Sequence, residues 1–321
     1  MRKKERLRII FMGTPEFATT ILKKLVEADY NIITCVTAPD KPSGRGRKIQ
    51  ESDVKKYALS VDLPVLQPTN LKAENFVSEI NDLAPDLIVV VAFRMLPKVI
   101  WEIPSLGTIN LHGSLLPDYR GAAPINWAII NGETKTGVTT FFINENIDTG
   151  DIILQEEMEI EHNDNAGTIH DRMMNLGAEV MVKTIEKIKT GNNIAKPQII
   201  DEFNQLKPAP KLFKADCKIT LTEQITTIYN FIRGLSPYPT AWINIKHKIK
   251  NEIKTLKIYS SSIIDNKSNY PISITEDEKQ LILKLPNGTL RLDEIQLEGK
   301  KRLESKAFLT GFRAEEWEVL N

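Results

Sequence analysis

Two polar side chains close what reads as a buried strand in the segment Gly107–Pro124, GTINLHGSLLPDYRGAAP, and their types and spacing suit acyl chemistry. Successive strand residues point to opposite faces, so Asn110 and His112 share one side while Ile109 and Leu111 share the other. An amide can steady a carbonyl oxygen while the imidazole beside it moves a proton. A lone histidine at a strand end reads more readily as a satisfied core residue, but the surroundings here favour chemistry. Gly113 and Ser114 end the strand, Pro117 sits in the loop, and Gly121-Ala122-Ala123-Pro124 opens a helix. The pair therefore lies on a strand-to-helix turn, and open α/β sheets bind ligands beyond the carboxyl ends of their strands. Asp148, in the run Phe141–Asp151 that leaves a strand for a glycine turn, is the candidate third group. A carboxylate bonded to one imidazole nitrogen fixes the tautomer and favours the protonated ring. Asp148 or Asp151 reads equally well as a turn cap. No Gly-x-Ser-x-Gly nucleophile is present, so direct transfer is expected rather than a covalent enzyme intermediate.

The loop Ala38–Lys48 carries Lys41, Arg45, Arg47 and Lys48 among glycines and prolines. Such a run can be a mere solvated face, yet glycines let basic groups approach phosphates closely, and loops on rigid scaffolds often bind. Met12–Phe17 reads as strand, glycine turn and helix start, with Thr14 as N-cap and Pro15 at the first helical position. It has one glycine where a dinucleotide fingerprint needs three, and no Gly-Lys-Ser/Thr ending, so no nucleotide cofactor is expected there.

These groups need a scaffold, and its periodicity is legible. Apolar runs at Leu7–Met12, Asn31–Thr37, Pro64–Leu66, Leu87–Phe93, Thr108–His112 and Val138–Asn144 alternate with helical segments at Phe17–Ala28, Val54–Ser60, Ala73–Leu83 and Ile125–Asn131. A long helix is expected over residues 166–190. The pattern predicts an α/β fold with a doubly wound, mostly parallel, Rossmann-like sheet over residues 1–190. Residues 191–214, with KPAPKLFK, read as a linker. Residues 215–321, one helix near Thr222–Arg233 and then short strands with an Asn287-Gly288 turn, predict a smaller C-terminal β-barrel.

Lys plus Arg equals Asp plus Glu at 42 each, which excludes a generic polycation; an anionic partner must be met locally. Cys35 and Cys217 form no CxxC or Cys/His cluster, which argues against structural zinc and for a reducing compartment. The basic start passes at once into an apolar strand with no signal-peptide pattern, and no run is long enough to cross a bilayer. A soluble, cytoplasmic protein with no metal is expected.

Taken together, GTPEFA (Gly13–Ala18), DKPSGRGRK (Asp40–Lys48), VAFRMLP (Val91–Pro97), NLHGSLLPDYRGAAPINWAI (Asn110–Ile129), GVTTFFINENIDTGDI (Gly137–Ile152) and SPYPTAW (Ser236–Trp242) resemble the methionyl-tRNA formyltransferases. The Asn-x-His, Ser-Leu-Leu-Pro and Asp-Thr-Gly-Asp set alone indicates the wider formyltransferase superfamily, whose purine-pathway and sugar members share it. The basic loop together with the appended domain favours the tRNA branch. The resemblance implies 10-formyltetrahydrofolate as donor, methionyl initiator tRNA as acceptor for translation initiation, and an OB-like C-terminal domain that holds the tRNA. It implies Asn110, His112 and Asp148 as the catalytic set, working by direct attack through a tetrahedral intermediate. Folate contacts fall on Arg94, Met95, Leu96, Ser114, Leu115, Leu116 and Pro117, and tRNA contacts on Lys41, Arg45, Arg47 and Lys48. A monomer is expected, with a nucleotide-amino-sugar N-formyltransferase as the rival enzyme. The sequence departs from many relatives at Phe93-Arg94-Met95 and at Asp118-Tyr119.

Overall fold

Ile9–Gly13, strand β1, is buried at every position, as an unbroken apolar run requires of a strand covered on both faces. The computed structural model describes residues 7–43, 48–191, 195–200, 205–267 and 269–320. The chain forms two units. The first comprises Met1–Gly121, Thr136–Met158 and His170–Pro208, and the second Ala122–Lys135, Glu159–Ile169 and Ala209–Asn321.

In chain order β1 is followed by α1 (Glu16–Glu27), β2 (Ile32–Val36), β3 (Lys41–Ser43), β4 (Lys48–Gln50), α2 (Asp53–Ser60), β5 (Val65–Leu66), α3 (Glu74–Asp82), β6 (Leu87–Val91), α4 (Lys98–Trp101), β7 (Thr108–His112), β8 (Arg120–Gly121), α5 (Pro124–Ile130), β9 (Lys135–Phe142), β10 (Ile152–Glu159) and α6 (Ala166–Lys189). The large sheet of the first unit has the order β10-β9-β7-β6-β1-β2-β5. The pairs β1–β2, β1–β6, β6–β7 and β2–β5 are parallel, and the chain leaves β1 first to one side and then to the other, the doubly wound pattern. β9 runs antiparallel to β7, with Asn110 opposite Phe141 and His112 opposite Thr139.

Helix α1 begins one residue later than Thr14 as cap would have it. Pro15 takes the cap position and its carbonyl accepts from the Thr19 N–H at 3.1 Å. Gly13 is required for packing, because a Cβ there would lie 2.5 Å from that of Ala18 and 3.0 Å from the Val91 carbonyl oxygen. The described residues on either side of the basic loop pair antiparallel as the β3–β4 hairpin, with Lys41 opposite Gln50. Its alternation of prolines and glycines with charge gives no strand signal, so pairing here was not foreseen.

After α6 come β11 (Pro208–Ala209), at the boundary between the units, and then, in the second unit, α7 (Ile225–Gly234), β12 (Ala241–His247), β13 (Ile253–Asp265), β14 (Ser273–Asp277), β15 (Gln280–Leu285), β16 (Gly288–Leu297), β17 (Leu303–Glu304), α8 (Ser305–Phe308) and β18 (Trp317–Leu320). The order β14-β15-β16-β13-β12-β18, with β17 on β16, is antiparallel throughout and makes a nearly closed, barrel-like sheet. Its interior is filled by Ile243, Leu256, Ile258, Leu283, Leu292 and Ile295, with Ile228 and Ile232 of α7 against them. β18 escaped the sequence reading because Glu315, Glu316 and Glu318 mask its pattern, yet Trp317 is buried and stacks on Phe312 at 5.6 Å.

Candidate active site

β7 is a buried strand that ends in polar side chains, with Ile109 and Leu111 buried on one face and His112 buried on the other. Asn110 is half-buried, and no hydrogen bond engages its amide among the described residues. The His112 Nε2 lies 2.8 Å from the Tyr119 carbonyl oxygen. A carbonyl can only accept, so Nε2 carries a proton and Nδ1 is the nitrogen open to exchange. Nδ1 faces the Asp148 Oδ2 at 3.8 Å, an ion-pair separation longer than a hydrogen bond. The carbonyl of Tyr119, rather than a bond from Asp148, therefore fixes the tautomer. Asp148 sits at φ +54° in the loop between β9 and β10, and its Oδ2 accepts from the Gly121 N–H at 2.9 Å. That bond holds the carboxylate beside the imidazole. Gly150 lets the same loop fold onto the end of β9, where a Cβ would sit 1.6 Å from the Phe142 carbonyl oxygen.

The loop after β7 is fastened from beneath. Thr139 of β9 donates its hydroxyl to the Ser114 carbonyl at 2.6 Å and accepts from the Leu116 N–H at 3.1 Å. Gln155 of β10 donates to the Leu116 carbonyl at 2.8 Å and to the Thr139 hydroxyl at 2.9 Å. The Ser114 hydroxyl donates to the Asp118 carbonyl at 2.7 Å. Asp118 and Tyr119 are tied to one residue: the Asp118 carboxylate accepts from the Lys207 N–H at 3.1 Å, and the Tyr119 N–H donates to the Lys207 carbonyl at 2.6 Å. Ser114 and Leu116 are buried, while Leu115 and Pro117 are half-buried.

Val91 pairs with Leu111, so the loop after β6 leaves the sheet beside the loop after β7. Leu96 is buried there among Met12, Val90 and Ile100, and Met95 is 73% exposed. The Arg94 guanidinium is turned away, donating to the Thr69 carbonyl at 3.0 Å and to the Pro68 carbonyl. No backbone hydrogen bond engages Phe93–Leu96 among the described residues. The edge thus offers free backbone donors and acceptors beside apolar side chains, the composition of a small-molecule site.

At the base of the β3–β4 hairpin the Asp40 carboxylate accepts from Lys55 Nζ at 2.5 Å and from Gln67 Nε2 at 2.8 Å. Those bonds hold its carboxyl below the ordinary range. Lys41 is exposed. Arg45 and Arg47 lie outside the described residues, as does the side chain of Lys48. Among the described residues no group of three His, Cys, Asp or Glu side chains is placed to hold a metal ion, and no helix is long and apolar enough to cross a membrane.

Asn110, His112 and Asp148 can thus steady one oxygen and exchange one proton. The sequence reading missed Tyr119, Thr139 and Gln155, which orient them. Thr139 carries the one signal that could have found it, a polar residue in an apolar strand directly opposite His112; Tyr119 acts through its backbone, which no residue type announces.

A profile described as "Formyl transferase" matches residues 6–185, and one described as "Formyl transferase, C-terminal domain" matches residues 211–313. A protein of Flavobacterium johnsoniae named methionyl-tRNA formyltransferase is 52% identical over 308 residues, covering 96% of both chains. One of the same name from Bacteroides thetaiotaomicron is 46% identical over 324 residues, covering 99% of this chain and 100% of its own. Among solved structures, the sugar 3N-formyl transferase WlaRD, in the presence of dTDP and 5-N-formyl-THF, has TM-score 0.64 at 20% identity, covering 92% of this chain and 100% of its own. HypX from Aquifex aeolicus, in complex with tetrahydrofolic acid, has TM-score 0.63 at 16% identity; 96% of this chain matches 47% of that one. These two share the fold, whereas the sequence relatives match both units end to end, and the chain belongs to the formyltransferase family, on its methionyl-tRNA formyltransferase branch.

Proposed function

We propose that the protein transfers the formyl group of 10-formyltetrahydrofolate to the α-amino group of methionyl initiator tRNA, and that Asn110, His112 and Asp148 carry the transfer. The observation that carries this reading is the joint placement at the end of β7: a half-buried amide without a partner among the described residues, beside a buried imidazole whose Nδ1 faces a carboxylate at 3.8 Å. The folate donor fits the neighbouring edge, where the free backbone of Arg94–Leu96 and the side chains of Leu96, Leu115, Leu116 and Pro117 would hold a flat, hydrogen-bonding ring, with Met95 alongside. Arg94 would act there by backbone, because its guanidinium is committed to Pro68 and Thr69. Bound there, the donor supplies the formyl carbonyl.

The Asn110 amide donates to the oxygen of that carbonyl as the amine attacks, a contribution of about 3–4 kcal/mol for a preorganised donor. A free α-amino group titrates near ~8, so the neutral amine needs only a modest local push. His112 Nδ1 is the site of proton exchange, and the Asp148 carboxylate faces it at 3.8 Å. The protonated ring steadies the developing negative charge and passes its proton to the departing nitrogen, while Asp148 accepts the amine proton through water. General acid catalysis of this kind contributes about 10²–10⁴-fold. No step needs a metal. Lys41, Arg45, Arg47 and Lys48 of the basic loop sequence would meet phosphates near the acceptor end, and the barrel-like unit would hold the tRNA body. The chain would act as a monomer in the cytoplasm.

The test offers methionyl initiator tRNA, methionyl elongator tRNA and a nucleotide amino sugar side by side, with 10-formyltetrahydrofolate as donor. Formylation of initiator tRNA above both others is expected. Preferential formylation of the sugar would overturn the acceptor assignment.

A further inference from the structure

We propose that Gln198 is a positioning residue for formyl transfer, its side-chain amide joining the Arg120 guanidinium to the backbone of the loop that carries Asp148. The proposal rests on the catalytic reading of Asp148 given above. Gln198 Nε2 donates to the Asp148 carbonyl at 2.8 Å and to the Gly150 carbonyl at 2.9 Å. Its Oε1 accepts from Arg120 Nε at 3.1 Å and from the second terminal nitrogen of the same guanidinium at 2.5 Å. The orientation of the amide is unambiguous on chemical grounds: the guanidinium can only donate and the two carbonyls can only accept, so oxygen and nitrogen each have one admissible end.

What the amide ties together is the support of the carboxylate. Asp148 has its Oδ2 on the Gly121 N–H and its main chain in the left-handed region at φ +54°. That conformation is unfavourable for a residue with a side chain and persists only where its surroundings impose it. Gln198 supplies the restraint on one side by holding the carbonyls of Asp148 and Gly150. On the other it holds Arg120, the residue next to Gly121. One side chain thereby sets the distance between the donor of the Gly121 bond and the loop that receives it, and with it the 3.8 Å from carboxylate to His112 Nδ1. Gln198 is itself anchored two residues earlier, where Lys196 exchanges backbone hydrogen bonds with Ile152 of β10 at 2.8 and 2.9 Å. This segment falls within the stretch that composition marks as a linker, and its sequence, Ala195-Lys196-Pro197-Gln198, has no periodicity to betray the role.

The test is a double-mutant cycle read in single-turnover formylation of methionyl initiator tRNA, with thermal denaturation of every variant. Gln198→Leu removes both ends of the bridge, and Gln198→Glu keeps the acceptor for Arg120 while presenting carboxylate oxygen to the two loop carbonyls. Both are expected to lower the rate about 10²-fold, the scale of a displaced catalytic group, with substrate affinities changed by less than about twofold. If Gln198 works through Asp148, adding Gln198→Leu to Asp148→Asn lowers the rate little further. Gln198→Glu, whose carboxylate still accepts from Arg120, keeps the proposal measurable should the leucine variant fail to fold. A wild-type rate in folded Gln198→Glu, or equal fold-losses with and without Asp148→Asn, would overturn the proposal while leaving the role of Asp148 standing. A wild-type rate in Asp148→Asn alone would overturn the underlying reading instead.

Discussion

The proton on His112 is assigned by a backbone atom. Because the Tyr119 carbonyl at 2.8 Å accepts from Nε2, the neutral ring is the Nε2–H tautomer and Nδ1 is left to exchange. Nitrogen-15 NMR of histidine-labelled protein with the His112 ring neutral should show a protonated Nε2 and an unprotonated Nδ1; the opposite pattern would refute the assignment. At this scale sequence carried half the site. Strand alternation put Asn110 and His112 on one face, and the run from a strand into a glycine turn offered Asp148, as a third group or as a turn cap. The contact of Asp148 was misjudged, since the sequence reading has it bonded to the ring, whereas it lies 3.8 Å away with its oxygen on Gly121. Backbone partners such as the carbonyl of Tyr119 and the N–H of Gly121 depend on how the loops fold back, which residue types do not encode.

Elements place these residues. The pairing of β7 with β9 sets Thr139 opposite His112, and its one hydroxyl serves Ser114, Leu116 and Gln155 in a fully buried position. Thr139→Val keeps the volume and leaves those groups unpaired, so it should cost about 1–3 kcal/mol, seen as a lower denaturation midpoint, and raise the folate KM. An unchanged midpoint and KM would show that the loop needs no such fastening. The hairpin has a comparable anchor in Asp40. Asp40→Ala should raise the KM for tRNA while sparing that for folate. A carboxyl held below its ordinary value contributes fully above that value, near ~3.9, and loses its contribution only as pH falls through the depressed one. The Asp40 anchor should therefore impose no pH dependence on tRNA binding between about pH 6 and 8; a change there that disappears in Asp40→Ala would contradict this. Strands and helices of the sheet were legible from period and apolar runs. The hairpin and β18 were not, because proline, glycine and glutamate obscure the alternation that pairing later imposes.

Across the whole molecule the balanced charge means that affinity for a polyanion has to come from local groups rather than from a general field. Both thiols are sealed in, one in each unit, with Cys35 and Cys217 buried. Burial pushes the Cys35 thiol up to about 12 and raises that of Cys217 as well. A thiol reagent at pH 8 should thus modify the native protein only as fast as the units open, and both cysteines at once in denaturant; rapid labelling of native Cys35 would contradict the burial. The central claim concerns the end of β7, and the most direct measurement is single-turnover formylation of methionyl initiator tRNA by Asn110→Ala at saturating 10-formyltetrahydrofolate. With both substrates bound, the account predicts a rate about 10²–10³-fold below that of the unaltered protein. A folded Asn110→Ala variant that binds both substrates and turns over at the normal rate would contradict it.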